Sequence, residues 1–207
     1  LSLLMGRYIE PFKQSTKSLQ QMMVNSSFLP PDQAHYILKN MTNVRLMVYY
    51  GLTEASRTTF HTHHMQSSQE HFNTVGRPPG DISVKILSSE ERELGPFEKG
   101  EIVVSGSTVM LRYKNQPRET QKCLNEGRFH TGDLGYLDND GFLFLTGRLK
   151  DIINVGGRKL SAKEVVVALQ NLEEVDEAYV IGIPDELSGE SPIAFVKLKR
   201  PITVDLI

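Results

Sequence analysis

The sequence predicts a mixed α/β fold of the α+β kind, with a β-rich part followed by a smaller α/β part. Three observations carry this. Short apolar runs rich in β-formers, "NVRLMVYYG", "DISVKIL", "GEIVVSG" and "GFLFLTG", are each closed by turn residues. One strongly amphipathic helical pattern, "SAKEVVVALQNL", follows a change of rhythm after Gly147. With 207 residues and an apolar fraction of 39%, the chain can bury a core in each part.

Taken in order, the first forty residues read as helix, with Met22, Met23, Leu29, Ile37, Leu38 and Met41 at helical spacings. Pro30-Pro31 marks a break and a second helix start. "NVRLMVYYG" is a buried strand, because its apolar run is too short for a helix and ends in glycine. The turn clusters "GRPPGD", "ELGPFEKG" and "DNDG" separate the next strands, so residues 75–147 form a β-rich subdomain. Beyond it, "DIINVGG" reads as a strand. A helix follows, with Ser161 and Glu164 as a capping box and Val165, Ala168, Leu169 and Leu172 on one face. "VDEAYVIGIPD" and "SPIAFVKLK" add two strands, for a β-α-β-β order. The expected division is residues 1–149 and 150–207, the second part incomplete at Ile207.

The formal net charge of −2, spread along the chain, gives no basic face for nucleic acid. The single cysteine, Cys123, excludes an internal disulfide framework and fits a reducing, cytoplasmic compartment. No apolar run approaches the roughly 18 residues of a transmembrane helix. The first residue is Leu rather than Met, so a longer parent chain is expected.

Several strings carry candidate chemistry. "YYGLTE" closes a strand with an aromatic ring, a glycine, a hydroxyl and a carboxylate. At a strand end an exposed Tyr50 can stack on a base, Thr53 can meet a phosphate oxygen, and Glu54 can ligate Mg²⁺. Alone, the string reads more simply as a strand ending in a solvated turn. "FHTGDLGYL" places Asp133 after a glycine, either to accept hydrogen bonds from a ribose diol or to satisfy turn amides. "GRLKDIINVGGRKLS" is not a Walker loop, and Gly156-Gly157 reads as a hairpin turn with Arg158 and Lys159 at the surface. "FHTHHMQSSQEH" puts His61 and His63 on one face of an extended segment, where a polar loop is favoured over a metal site. "DNDG" is a hairpin turn, because Leu149 stands where a calcium loop needs its bidentate glutamate.

Taken together and in this order, "YYGLTE", "GEIVVSG" and "GRFHTGDLGYLDNDGFLFLTGRLKDIINVGGRKLSAKEV" resemble motifs of the adenylate-forming superfamily over residues 44–200. That superfamily includes acyl-CoA synthetases, adenylation domains of peptide synthetases, and firefly luciferase. The resemblance implies a fragment of the acyl-CoA synthetase-like fold and a two-step reaction. A carboxylic acid substrate attacks ATP to give acyl-AMP and pyrophosphate, and a thiol then takes the acyl group. Carried over residue by residue, it implies that Tyr50 stacks on adenine beside Gly51. Thr53 would contact phosphate and Glu54 would ligate Mg²⁺. Asp133 would hold the ribose of ATP or AMP with Arg148, Lys150 would be the hinge, and Gly156 and Gly157 would line a tunnel for the pantetheine of CoA.

Departures accompany the matches. Where the family has a Gly-Gly-Ala-type turn that meets adenine, this chain has "VNSSFLPP", spanning Asn25 to Phe28. Asn154 stands where luciferases carry a lysine. The family's phosphate loop belongs before residue 1 and its adenylation lysine beyond Ile207, so the chain is expected to be a piece of an acid–thiol ligase, inactive alone. Two alternatives share these motifs: an adenylation domain that loads the phosphopantetheine of a carrier protein, and a non-catalytic nucleotide-binding module.

Overall fold

A computed structural model describes residues 9–25, 29–65 and 70–200. The chain divides into two compact units, the first formed by residues 1–131 and 135–145 and the second by residues 132–134 and 146–207.

The first unit begins with helix α1 (Ile9–Ser15), strand β1 (Gln21–Val24), helix α2 (Pro31–Asn40), strand β2 (Arg45–Tyr50) and strand β3 (Thr59–His63). These strands form one sheet in the order β1-β2-β3. Strand β1 is parallel to β2, with Met22 opposite Leu46, which needs a crossover that α2 supplies. Met22 and Met23 therefore lie in a strand, not in the expected helix. Their four-residue run is too short to set its own structure, and pairing with β2 decides it. Pro31 starts α2 at a position where a missing N–H costs nothing, and Ala34, Ile37 and Leu38 form its buried face. They pack with Val24, Leu46, Val48 and Phe72.

A second sheet has the order β4-β5-β7-β6, with β8 also on β7. Its strands are β4 (Ser83–Leu87), β5 (Gly100–Ser105), β6 (Leu124–Asn125), β7 (Arg128–Leu137) and β8 (Leu143–Arg148). Helix α3 (Pro117–Cys123) precedes β6. The apolar runs picked out in the sequence supply its core of Val84, Ile86, Ile102, Val104, Phe129 and Leu143. The "DNDG" turn joins β7 to β8 as expected. Asp138 Oδ1 accepts from the amides of Asp140 at 3.0 Å and Phe142 at 2.8 Å, and Gly141 takes the positive φ of 77°.

The second unit contains a sheet ordered β10-β9-β12-β11. It is built from β9 (Ile152–Val155), β10 (Arg158–Ser161), helix α4 (Ala162–Gln170), β11 (Val175–Asp185) and β12 (Gly189–Leu198). The order is therefore β-β-α-β-β, because "RKLS" pairs antiparallel with β9 although it lacks a strand's apolar alternation. Ser161 stands at the N-cap of α4 but its side chain makes no capping hydrogen bond. Val165, Val166 and Leu169 pack on Ile153 and Val180. Ala168 and Leu172 are exposed, since the helix ends at Gln170 before Leu172 can share its face.

Candidate functional site

In the first unit, β1 and β2 present their carboxyl ends together, the edge where α/β sheets gather ligands. Asn25 leaves β1 there and its amide donates to the Tyr49 hydroxyl. Ser26 to Phe28, the rest of the candidate adenine segment, lie outside the described residues.

Strand β2 then turns sharply. Gly51 is required because a Cβ would stand 2.5 Å from the Arg57 backbone nitrogen, and Arg57 itself adopts φ 54°. The Leu52 amide donates to the Ala55 carbonyl at 3.0 Å, and the Thr58 hydroxyl donates to that carbonyl at 2.9 Å. This backbone frame leaves Thr53 exposed and Glu54 half-buried. Tyr50 differs from the exposed ring expected of it. It is 7% exposed and packs with Ala55, Ile86 and Phe129, because it shares the inward face of β2 with Leu46 and Val48.

Glu54 is held at two points. Its carbonyl accepts from the Met110 amide at 2.7 Å, and its Oε1 accepts from the Tyr113 hydroxyl at 2.5 Å. That bond to the carboxylate pushes the Tyr113 hydroxyl pKa up. No sequence signal marked Tyr113, since it is 59 residues from Glu54 and follows no periodicity.

In the second unit, Asp133 lies within β7 rather than in a turn and is 5% exposed. Arg148 Nε meets Asp133 Oδ1 at 2.6 Å. Lys163, on α4, has its pKa lowered by burial, with the Asp133 charge opposing that shift. A buried carboxylate beside two cationic side chains is a paired charge whose oxygens are hydrogen-bond acceptors, the chemistry that hydroxyl donors need. Lys150 is exposed in the 3₁₀ turn Leu149–Asp151, directly after Arg148.

Gly156 and Gly157 form the two-residue turn between β9 and β10, with φ of 56° and 80°. Both signs are those of a type I′ hairpin. Nothing lies within 4 Å of where a Cβ would stand at either glycine, so the turn opens onto free space.

The histidines depart from the expected polar loop. His61 and His63 belong to β3, with ring centroids 4.7 Å apart, and His63 stacks on Phe72, which stacks on His35. Among the described residues no group of three or more His, Cys, Asp or Glu side chains is arranged to hold a metal ion. No described helix is long and apolar enough to cross a membrane.

Comparison with known proteins adds the family context. A family model described as AMP-binding enzyme matches residues 4–114, and one described as AMP-binding enzyme C-terminal domain matches residues 164–207. The long-chain-fatty-acid–CoA ligase of Bacillus subtilis (strain 168) is 38% identical over 189 residues, covering 91% of this chain and 33% of that protein. The oxalate–CoA ligase of Saccharomyces cerevisiae is 36% identical over 177 residues, 84% of this chain and 32% of that protein. Among solved structures, the o-succinylbenzoate CoA synthetase of Bacillus subtilis in complex with its acyl-adenylate intermediate superposes with a TM-score of 0.80 at 28% identity. That match covers 95% of this chain and 40% of the other. This chain therefore spans about a third of the length of the curated relatives it matches.

Proposed function

Because the chain belongs to the AMP-binding enzyme family, we propose that it supplies the ribose site, the metal carboxylate and the hinge of an ATP-dependent, AMP-forming acyl-CoA ligase. The observation that carries this reading is the buried Asp133 held by Arg148 at 2.6 Å. A ribose 2′,3′-diol presents two donors, and a fixed carboxylate can accept both. Arg148 fixes the orientation in which that carboxylate would meet the sugar hydroxyls.

The donor set also fits Mg²⁺. This cation takes one or two protein carboxylates and completes its shell with water and substrate phosphates, and half-buried Glu54 offers such a carboxylate. When bound, Mg²⁺ would neutralise charge on the triphosphate. The chain's own residues hold the substrates: Thr53 is exposed beside Glu54 to donate to a phosphate oxygen, and Tyr50 forms the packed floor beneath them. The acid substrate's carboxylate then attacks the α-phosphate, forming acyl-AMP and expelling pyrophosphate. CoA is the proposed acceptor in the second step, in line with the names of the relatives. The open hairpin at Gly156-Gly157 suits passage of a thin pantetheine arm, and Lys150 is the proposed joint between the two half-reactions.

Calorimetry with AMP tests the ribose site. Binding by this chain that disappears in Asp133→Ala, with folding retained by circular dichroism, is the expected result. AMP binding that persists in the variant would refute the assignment.

A further inference from the structure

We propose that Tyr113 is a positioning residue for Glu54, fixing the carboxylate in the orientation that receives a divalent cation. This rests on the reading of Glu54 as the cation carboxylate.

The geometry begins with the 2.5 Å bond from the Tyr113 hydroxyl to Glu54 Oε1. Bonds of an O–H donor to an ionised carboxylate are the short, strong class of hydrogen bond. The two residues meet because the 109–113 segment runs along the 51–58 turn. Ala55 and Val109 form an antiparallel bridge, and the Met110 amide donates to the Glu54 carbonyl at 2.7 Å. Tyr113 is braced in turn by helix α3. Its amide donates to Thr120 Oγ1 at 3.0 Å, and the Cys123 thiol lies within hydrogen-bonding reach of the phenol. Pro117 at the start of α3 fixes where Thr120 and Cys123 fall.

The chemistry of the partner matters as much as its position. A lysine or arginine at this place would neutralise Glu54 and compete with a cation. A phenol orders the carboxylate while leaving its full negative charge in place. The bond engages Oε1, so a cation takes Oε2 without displacing it. A glutamate otherwise has three torsions that a cation must order on arrival, and Tyr113 orders them beforehand.

The test is a linkage cycle in the protein that carries this chain. Isothermal titration calorimetry gives the ATP dissociation constant with and without Mg²⁺, and the ratio is the gain that Mg²⁺ confers. Tyr113→Phe keeps the ring and removes only the hydroxyl. We expect it to lower that gain about tenfold while leaving the Mg²⁺-free ATP affinity unchanged. Glu54→Gln should abolish the protein's share of the gain. An unchanged gain in Tyr113→Phe, with Glu54→Gln defective, would overturn the positioning role and leave the Glu54 reading standing. An unchanged gain in both would overturn the Glu54 reading and this inference with it. A lower melting temperature in Tyr113→Phe with no change in the gain would mark a purely structural contact, and would also overturn the proposal.

Discussion

Lowering the pH should destabilise the β1-β2-β3 sheet through His63, and the size of the loss follows from its surroundings. His63 is 1% exposed, and neither ring nitrogen has a hydrogen-bond partner among the described residues. Burial, the largest cause, and the neighbouring histidines lower its pKa from 6.5 to about 4. Above pH 6.5 the ring is neutral in both folded and unfolded chains and contributes no pH dependence. Between 6.5 and about 4 the unfolded chain takes up a proton that the folded chain refuses, so stability falls as pH falls. The loss is about 1 kcal/mol at pH 5.5 and about 3 kcal/mol at pH 4. Against a typical domain stability of about 5–15 kcal/mol, that is a large share. His61, whose pKa is also lowered to about 4 by burial and by His71, acts in the same direction. The matched variant is His63→Phe, which keeps a flat ring against Phe72 but cannot titrate. Urea unfolding can be followed by tyrosine fluorescence, since the chain has no tryptophan. The stability difference between variant and parent should widen in the variant's favour by about 2–3 kcal/mol from pH 7 to pH 4.5. Carboxylates titrate alike in both proteins and cancel. Identical pH dependence in the two would refute the reasoning.

Two further outcomes are expected. Gly51→Ala should destabilise the first unit by about 1–3 kcal/mol in the same urea assay, because the added Cβ meets the Arg57 backbone at 2.5 Å, and backbone cannot rotate away as a side chain can. Lys150→Pro, in the protein that carries this chain, should slow thioester formation more than pyrophosphate exchange, since fixing φ in the Leu149–Asp151 turn restricts the proposed joint without altering the first-step residues. Equal losses in both half-reactions would count against a joint at Lys150.

Elements with their own apolar signal were legible in the sequence. "RLMVYY", "SVKIL" and "GEIVVS" became β2, β4 and β5 because their side chains fill cores whichever strand lies alongside. Strands β1, β7 and β10 were not, and the reason is common to all three. Their identity comes from a partner's hydrogen-bonding edge, which local spacing does not record. The "HTH" alternation of β3 was visible, but its polarity pointed to a loop. The rings of Phe72, His35 and Phe142 pack against these histidines there, a contact that the local pattern does not record. The candidate site divided in the same way. The strings around Glu54 and Asp133 were visible as residues, whereas the burial of Tyr50 and the contact of Tyr113 with Glu54 depend on which segments the fold brings alongside.

The 51–58 turn has a consequence for how such a site can diversify. Its shape is closed by main-chain atoms, by Gly51 and by the buried Thr58 hydroxyl, while Thr53 and Ser56 stand exposed and take no part in that closure. A turn built this way is a rigid socket with two replaceable positions. Randomising 53 and 56 together should therefore yield a library in which folding survives in nearly every member and only ligand preference varies, which makes the turn a natural starting point for respecifying the chemistry at the end of β2.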